Sequence, residues 1–227
     1  MLPSQTVENY LKTIYLAQLA LPSTTEDEDA LVPMGQISAT LGVVPGTATT
    51  MIKTLAESGL VHYEPYLGVR LTAAGERLAG LVIRRHRLVE LFLVKVLGMS
   101  WAEVHDEAER LEHAVSERLI DRIDEMLGRP VVDPHGDPIP TPEGRLPYVE
   151  SVELGQAPEQ VPLVVIRVTD QDPEFLRFVE LRDLIPGRSV QVVGRDAAAE
   201  TLQIQAEDGG RATIGLRAAS KILVRAA

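Results

Sequence analysis

Residues 34–71, MGQISATLGVVPGTATTMIKTLAESGLVHYEPYLGVRL, decide how the N-terminal part of this chain folds. Ile37 and Leu41 share one side of a short helical stretch closed by Gly42, because glycine tolerates the left-handed backbone at a helix end. The turn Val43–Val44–Pro45–Gly46 leads into a second helix, predicted from Thr47 to Ser58 and stopped by Gly59, with Ile52 and Leu55 inward. Residues 60–64 and 69–72 then flank Pro65–Tyr66–Leu67–Gly68, the pattern of a β-hairpin. Two helices joined by a tight turn and followed by a hairpin predict a winged helix-turn-helix.

Working outward, Tyr10, Leu11, Ile14 and Leu19 recur at helical spacing ahead of this unit. A loop with Pro22 and the acidic run Glu26–Asp27–Glu28–Asp29 separates them from it. A loop of this length is unusual inside a compact domain, and solvated charge explains it most simply. The predicted winged-helix domain is 1–72. Its second helix, preceded by Pro45 and Gly46, exposes Thr47, Thr49, Thr50, Thr54 and Lys53, and no acidic residue occurs from Gln36 to Ala56. Short hydroxyl side chains let a backbone approach a groove closely and meet phosphates or base edges. Threonine is a mediocre helix former, so propensity does not account for the cluster. These residues are the candidate contacts to double-stranded operator DNA.

The net charge of −11 argues against binding nucleic acid over the whole surface, but not against one local face. With no cysteine there is no disulfide framework, and any metal must be held by His, carboxylate or amide groups. A cytoplasmic location follows as the expectation, since MLPSQTVENY is not a secretion signal. No apolar run approaches the roughly 20 residues a membrane span needs.

Two long amphipathic helices are predicted next, in a domain of residues 73–140. One runs from Ala73 to Leu97, with Leu78, Leu81, Val82, Leu88, Val89, Phe92 and Val96 as its apolar stripe. The other opens on Ser100–Trp101–Ala102–Glu103, read as a capping box, and runs unbroken to Leu127. Its stripe is Val104, Ala108, Leu111, Val115, Leu119 and Met126, a natural dimer interface. Residues 130–147 are rich in proline and glycine and read as linker, with 141–150 as the boundary proper. From residue 151 the period changes to that of short strands at 163–168, 189–193, 201–205 and 211–215, with a helical patch near 174–184. That pattern suggests a small β-barrel over 151–227. The fold class is therefore mainly α with a C-terminal all-β domain.

Three of the five histidines fall in the helical pair beside carboxylates. His105, Glu109, Glu112 and His113 are spaced i, i+4, i+7 and i+8, and His86 and Glu90 are i, i+4, so each set shares one helix face. Packed together, the two faces place six nitrogen and oxygen ligands in one seam, where a divalent cation offsets the cost of burying carboxylates. The alternative is surface pairing of these groups with Arg85, Arg87 and Arg110. The donor set favours manganese, ferrous iron or zinc over soft metals.

These strings resemble the diphtheria-toxin-repressor family, including its manganese-transport regulators. The match is close at Glu8-Asn-Tyr-Leu-Lys-Thr-Ile-Tyr15, Arg85-His-Arg-Leu-Val-Glu90 and His105-Asp-Glu-Ala-Glu-Arg-Leu-Glu-His113, with a further string at Gly136-Asp-Pro-Ile-Pro140. The resemblance implies a winged-helix DNA-binding domain, a helical dimerisation domain and an SH3-like (FeoA-type) barrel. It implies one metal site from His86, Glu90 and His105, completed by barrel residues among Gln171, Asp172 and Glu174. The other site would use Glu109, Glu112, His113 and Asn9. Iron-type members carry Cys at the position of Glu109 and manganese-type members carry Glu, so Mn²⁺ is the favoured cofactor and Fe²⁺ the alternative. Zn²⁺ and Co²⁺ are further candidates in vitro. Asn9 replaces the Met or Asp of relatives, and Lys12 replaces a further Glu of the manganese type. The acidic insertion at 23–30 is foreign to the pattern.

The implied activity is metal-gated repression of metal-transport genes by a homodimer, not an enzyme. Two rivals explain part of the sequence. A di-metal carboxylate–histidine enzyme would use the middle helices but has no need of a recognition helix. A metal-independent winged-helix sensor would leave the His–Glu seam idle.

Overall fold

The computed structural model describes residues 4–21, 30–207 and 209–227. Apart from Ala30, the acidic insertion lies outside the described residues. The chain divides into two compact units, residues 1–85 with 140–147, and residues 86–139 with 148–227.

In the first unit, α1 (Gln5–Leu19) begins where the Ser4 hydroxyl accepts a hydrogen bond from the Val7 amide. Its Tyr10, Leu11, Ile14 and Ala17 are buried. They pack with Ile37 of α2 (Met34–Thr40) and with Ala48, Ile52 and Leu55 of α3 (Pro45–Glu57) in one apolar cluster. Helix α3 starts two residues before the predicted Thr47, because proline suits the first turn, where its missing N–H has no partner to lose. Strands β1 (Val61–Glu64) and β2 (Gly68–Leu71) form the antiparallel hairpin, pairing His62 with Arg70 and Tyr63 with Val69. Val32 bridges to Val69 through two backbone hydrogen bonds, which ties the segment before α2 to the wing.

Helix α4 (Ala73–Lys95) runs from the first unit into the second. The helix expected from Ser100 to Leu127 is instead two, α5 (Val104–Leu111) and α6 (Glu117–Met126). Ser116 causes the break. It takes extended backbone angles, and its hydroxyl accepts from the Leu119 amide, which starts a new helix. Nor does Ser100 cap a helix, since its hydroxyl accepts from the Ala102 amide and α5 starts at Val104. The predicted stripe therefore divides. Val104 and Ala108 are buried with Leu88, Val89, Leu93, Ile120 and Ile123, whereas Leu111, Leu119 and Met126 are exposed.

The C-terminal part is one antiparallel six-stranded sheet, ordered β3 (Val152–Glu153), β8 (Ile222–Ala226), β4 (Pro162–Val168), β5 (Ser189–Asp196), β6 (Thr201–Ala206), β7 (Arg211–Gly215). Helices α7 (Pro173–Glu180) and α8 (Leu216–Ala219) accompany it. Bulges at Val165/Arg167 and Val192/Gly194 bend the two central strands. Strands β3 and β8 lay outside the sequence reading.

Residues 133–139 do not behave as a linker. Asp133, His135, Asp137 and Ile139 are all buried. The Asp133 carboxylate accepts from the amides of His135 and Asp137. Asp137 meets both Arg87 of α4, at 3.1 Å, and Arg167 of β4, at 2.6 Å. The Val168 amide donates to the His135 carbonyl. Proline and glycine here shape a tight buried loop held by these hydrogen bonds and ion pairs, not a flexible spacer. Gly136 takes a φ of 86°, and a Cβ there would collide with the Ile166 carbonyl. Gly98 has a φ of 68° with open space around it.

Gly136→Ala should therefore lose about 2–4 kcal/mol of stability, combining left-handed strain with backbone collision. Gly98→Ala should lose only about 1–2 kcal/mol. Urea unfolding followed by circular dichroism checks the order, and equal midpoints for the two variants would contradict the placement of the 133–139 loop.

Candidate metal centre and nucleic-acid interface

Helices α4 and α5 bring five of the predicted metal-ligating side chains together around His86. Its Nε2 lies 3.0 Å from Glu90 Oε1, one turn along α4. Its Nδ1 lies 2.6 Å from Glu112 Oε2 and 3.9 Å from Glu109 Oε1. His105 Nδ1 approaches Glu90 Oε1 at 3.3 Å, and His113 Nε2 is 3.2 Å from Glu112 Oε1. The His86 and His105 rings meet edge to face, 5.0 Å between centroids. Glu90 and Glu112 are fully buried, while Glu109 and His105 keep partial exposure. Helical geometry explains the convergence. Residues four apart on α4 and on α5 each line one side, and α5 extends far enough to carry His105 and Glu109 before the chain turns at Glu112.

Among the described residues three groups are spaced to hold one ion each: His86–Glu90–His105, His86–Glu109–Glu112 and Glu90–Asp133–His135. Within each, one ligand atom per residue lies within 4.8 Å of the others, close to twice a metal–ligand bond of about 2.0–2.5 Å. His86 belongs to two groups. A neutral imidazole coordinates through one nitrogen and donates through the other, so a metal on its Nε2 leaves the Nδ1–H to be fixed by Glu112. Such an outer carboxylate sets the tautomer and orientation of a ligating histidine.

The third group was missed in the sequence. His135 is completely buried, its Nε2 beside the Trp101 carbonyl at 2.8 Å and its ring stacked on Trp101. Its Nδ1, Asp133 Oδ2 and Glu90 Oε2 are each buried with no hydrogen-bond partner. Leaving even one such atom unsatisfied costs about 1–3 kcal/mol, so three facing one another fit a cation. The signal was a histidine flanked by aspartates at Asp133 and Asp137, masked by the surrounding prolines and glycine.

The electrostatics agree with that fit. Burial would raise Glu90, but hydrogen bonds with His105 and His86, and the charges of His86 and His135, outweigh it. The net effect holds the Glu90 carboxyl well below the usual range. For Asp133, burial together with the charges of Asp137 and Glu90 pushes the carboxyl well above its ordinary value, and Arg87 opposes this only in part. A divalent ion beside both favours the ionised form of each. The arginines proposed as surface partners are engaged with other carboxylates: Arg85 with Glu8, Arg87 with Asp133 and Asp137, Arg110 with Glu107.

Other expected ligands fall outside these groups. Asp172 and Glu174 are exposed at the start of α7, where Asp172 Oδ1 accepts from the amides of Glu174 and Phe175. Gln171 precedes them. Asn9 belongs to α1 in the first unit, where its Oδ1 is buried without a hydrogen-bond partner.

In the first unit, α3 presents Pro45, Gly46, Thr47, Thr50 and Lys53 to solvent, and Thr49 is half-buried. Ala48, Ile52 and Leu55 anchor the opposite face. The hairpin that follows carries a fully exposed Tyr66 at its tip. No helix among the described residues is long and apolar enough to cross a membrane.

Comparison with known proteins is consistent along nearly the whole chain. Residues 3–69 match the iron dependent repressor N-terminal DNA binding domain, residues 72–141 the iron dependent repressor metal binding and dimerisation domain, and residues 152–226 the FeoA domain. The iron-dependent repressor IdeR of Mycobacterium tuberculosis is 35% identical over 191 residues, covering 84% of this chain and 70% of its own length. A structure of a manganese-dependent transcriptional repressor in complex with manganese superposes with a TM-score of 0.87 at 38% identity, covering 97% of this chain and 100% of that one. A structure of ScaR with bound Zn²⁺ gives a TM-score of 0.76 at 29% identity, covering 99% and 100%. The winged helix, the buried His–carboxylate seam and the C-terminal SH3-like sheet thus place this chain in the diphtheria-toxin-repressor family of metal-dependent, DNA-binding transcriptional repressors.

Proposed function

We propose that this chain is a manganese-responsive repressor of metal-transport genes, acting as a homodimer on double-stranded operator DNA. The observation that carries this reading is the donor set around His86 and Glu90, built wholly from imidazole and carboxylate. A carboxylate at Glu109, where a thiolate would suit a softer ion, favours Mn²⁺. The manganese-bound relative supports the choice. The resemblance to IdeR supports Fe²⁺ as the second reading.

When bound, the ion supplies charge that neutralises Glu90, Glu109, Glu112 and Asp133. The chain's own residues do the rest. His86, Glu90 and His105 hold one ion, with Glu112 orienting His86. Glu109, Glu112 and His113 hold another, and Asn9 is a candidate to join them. Asp133 and His135 offer Glu90 a further ligand pair, and Asp172 and Glu174 remain candidates from the C-terminal domain. Exposed Leu111, Leu119 and Met126 provide apolar surface for the partner protomer. Helix α4 carries the first ligand, His86, at the start of the second unit. Ordering that end of α4 biases the pair of recognition helices toward the about 34–36 Å spacing of successive major-groove half-sites, or a multiple of it. Without metal, that spacing is a minor state.

In anisotropy titrations at fixed salt with a metal-transporter promoter, Mn²⁺ should tighten binding by about 1–3 kcal/mol over chelator. Equal affinity in both would overturn the metal-gated reading.

Glu109→Ala should lose much of this response while the protein still sediments as a dimer, because the apolar surface is untouched. Glu109→Cys should keep a metal response but shift preference from Mn²⁺ toward Fe²⁺ or Co²⁺. If Glu109→Ala answers every buffered metal as wild type does, Glu109 is an ordinary surface carboxylate and the manganese assignment fails.

Lys53→Ala should weaken binding to all sequences and reduce the salt slope by about one unit, the signature of one lost phosphate contact. An unchanged slope means Lys53 does not touch the backbone.

A further inference from the structure

Resting on the DNA-binding reading above, we infer that Thr49 and Thr50 meet base edges with their methyl groups, not as hydrogen-bond donors, so that thymines select the half-site. Three of the four threonine hydroxyls on α3, those of Thr49, Thr50 and Thr54, are turned back onto their own helix. Thr49 Oγ1 donates to the Pro45 carbonyl at 2.9 Å, Thr50 Oγ1 to the Gly46 carbonyl at 2.9 Å, and Thr54 Oγ1 to the Thr50 carbonyl at 3.2 Å. A threonine Cβ carries two branches. With the hydroxyl drawn toward the carbonyl four residues back, the γ-methyl is the branch left for a partner. Using either hydroxyl as a donor to DNA would break a bond worth about 0.5–1.5 kcal/mol.

The chemistry of the groove then restricts what this surface reads. Guanine offers two acceptors in the major groove, N7 and O6, and calls for a donor. Between Ile37 and Gly59 there is no Arg, Asn or Gln, so the bidentate amide and guanidinium contacts to adenine and guanine are missing from α3. Lys53 is the helix's one cation, two turns beyond the N-terminal residues that meet base edges in this motif. Thymine is the base that offers a methyl group there. Ala48 and Ile52, buried between and beside these threonines, fix the helix so that the methyl positions are set by packing.

The test uses the full chain loaded with Mn²⁺ to select duplexes from a random pool. Each thymine of the enriched site is then replaced singly by deoxyuridine, which removes only the methyl. Wild-type protein should lose about fourfold in affinity at one or two thymines of each half-site, the worth of one buried methyl. Thr50→Val, which keeps the methyl and the branched shape, should preserve that thymine-to-deoxyuridine ratio. Thr50→Ser, which keeps the hydroxyl, should abolish it at one position, and Thr49→Ser at another. An enriched site indifferent to every deoxyuridine overturns the methyl reading and leaves the regulator reading standing. So does a ratio lost in Thr50→Val and kept in Thr50→Ser. Enrichment of no sequence in Mn²⁺ over chelator overturns the regulator reading and this inference with it.

Discussion

The structure turns on one burial problem, the Glu90 carboxylate. It has no exposure, its Oε1 is shared between His86 and His105, and its Oε2 faces His135 and Asp133 without a hydrogen bond. Burying that charge unaided would cost several kcal/mol. Three separate stretches of chain converge to meet it: α4, α5 and the 133–139 loop. Each has a local reason to be there. Helix α4 carries His86 one turn before Glu90, and the packing of Val104 and Ala108 holds α5 against Leu88 and Val89. The loop is pinned by its aspartates to Arg87 and Arg167. A cation would satisfy Glu90, Asp133 and His135 together, and its binding there would be a structural event and not a surface adsorption.

Much of this was legible in the residues because helical spacing is rigid. His86 with Glu90, and His105 with Glu109, lie four apart, and that arithmetic fixes which side chains share a face before any packing is known. The recognition helix was legible for the same reason, with Ile52 and Leu55 marking its buried side. What escaped depended on loops. A helix drawn unbroken to Leu127 ignored Ser116 as a start signal. The 133–139 string looked like a spacer because proline and glycine mark flexible chain and tight buried turns alike. Its alternating aspartates distinguish the two, since a carboxylate two residues before an amide closes a local turn. Strand β8 was lost because its partners, β3 and β4, are remote in sequence and only their pairing defines it.

The two functional surfaces impose different demands. The metal seam concentrates charge and must be satisfied internally. The exposed face of α3 carries Lys53 as its one cation, with the hydroxyls of Thr49, Thr50 and Thr54 spent inside the helix, and on the reading proposed above it discriminates by shape and methyl contact. Net charge does little for this protein's affinity, since −11 overall repels DNA. On the proposed homodimer, binding then depends on holding a pair of weakly charged faces in register. A protein built this way gains from an ion that fixes geometry, even one that never touches the nucleic acid.

That dependence has a thermodynamic consequence. If Mn²⁺ and operator each favour the same arrangement, the factor by which the ion tightens DNA must equal the factor by which DNA tightens the ion. The most direct measurement is the Mn²⁺ dissociation constant of the full chain, by buffered-metal titration, with and without saturating operator duplex at one salt concentration. The account predicts tightening by about 5–150-fold, matching the coupling seen from the DNA side. An Mn²⁺ affinity unchanged by operator would contradict it, because the ion would then be bound without being part of the switch.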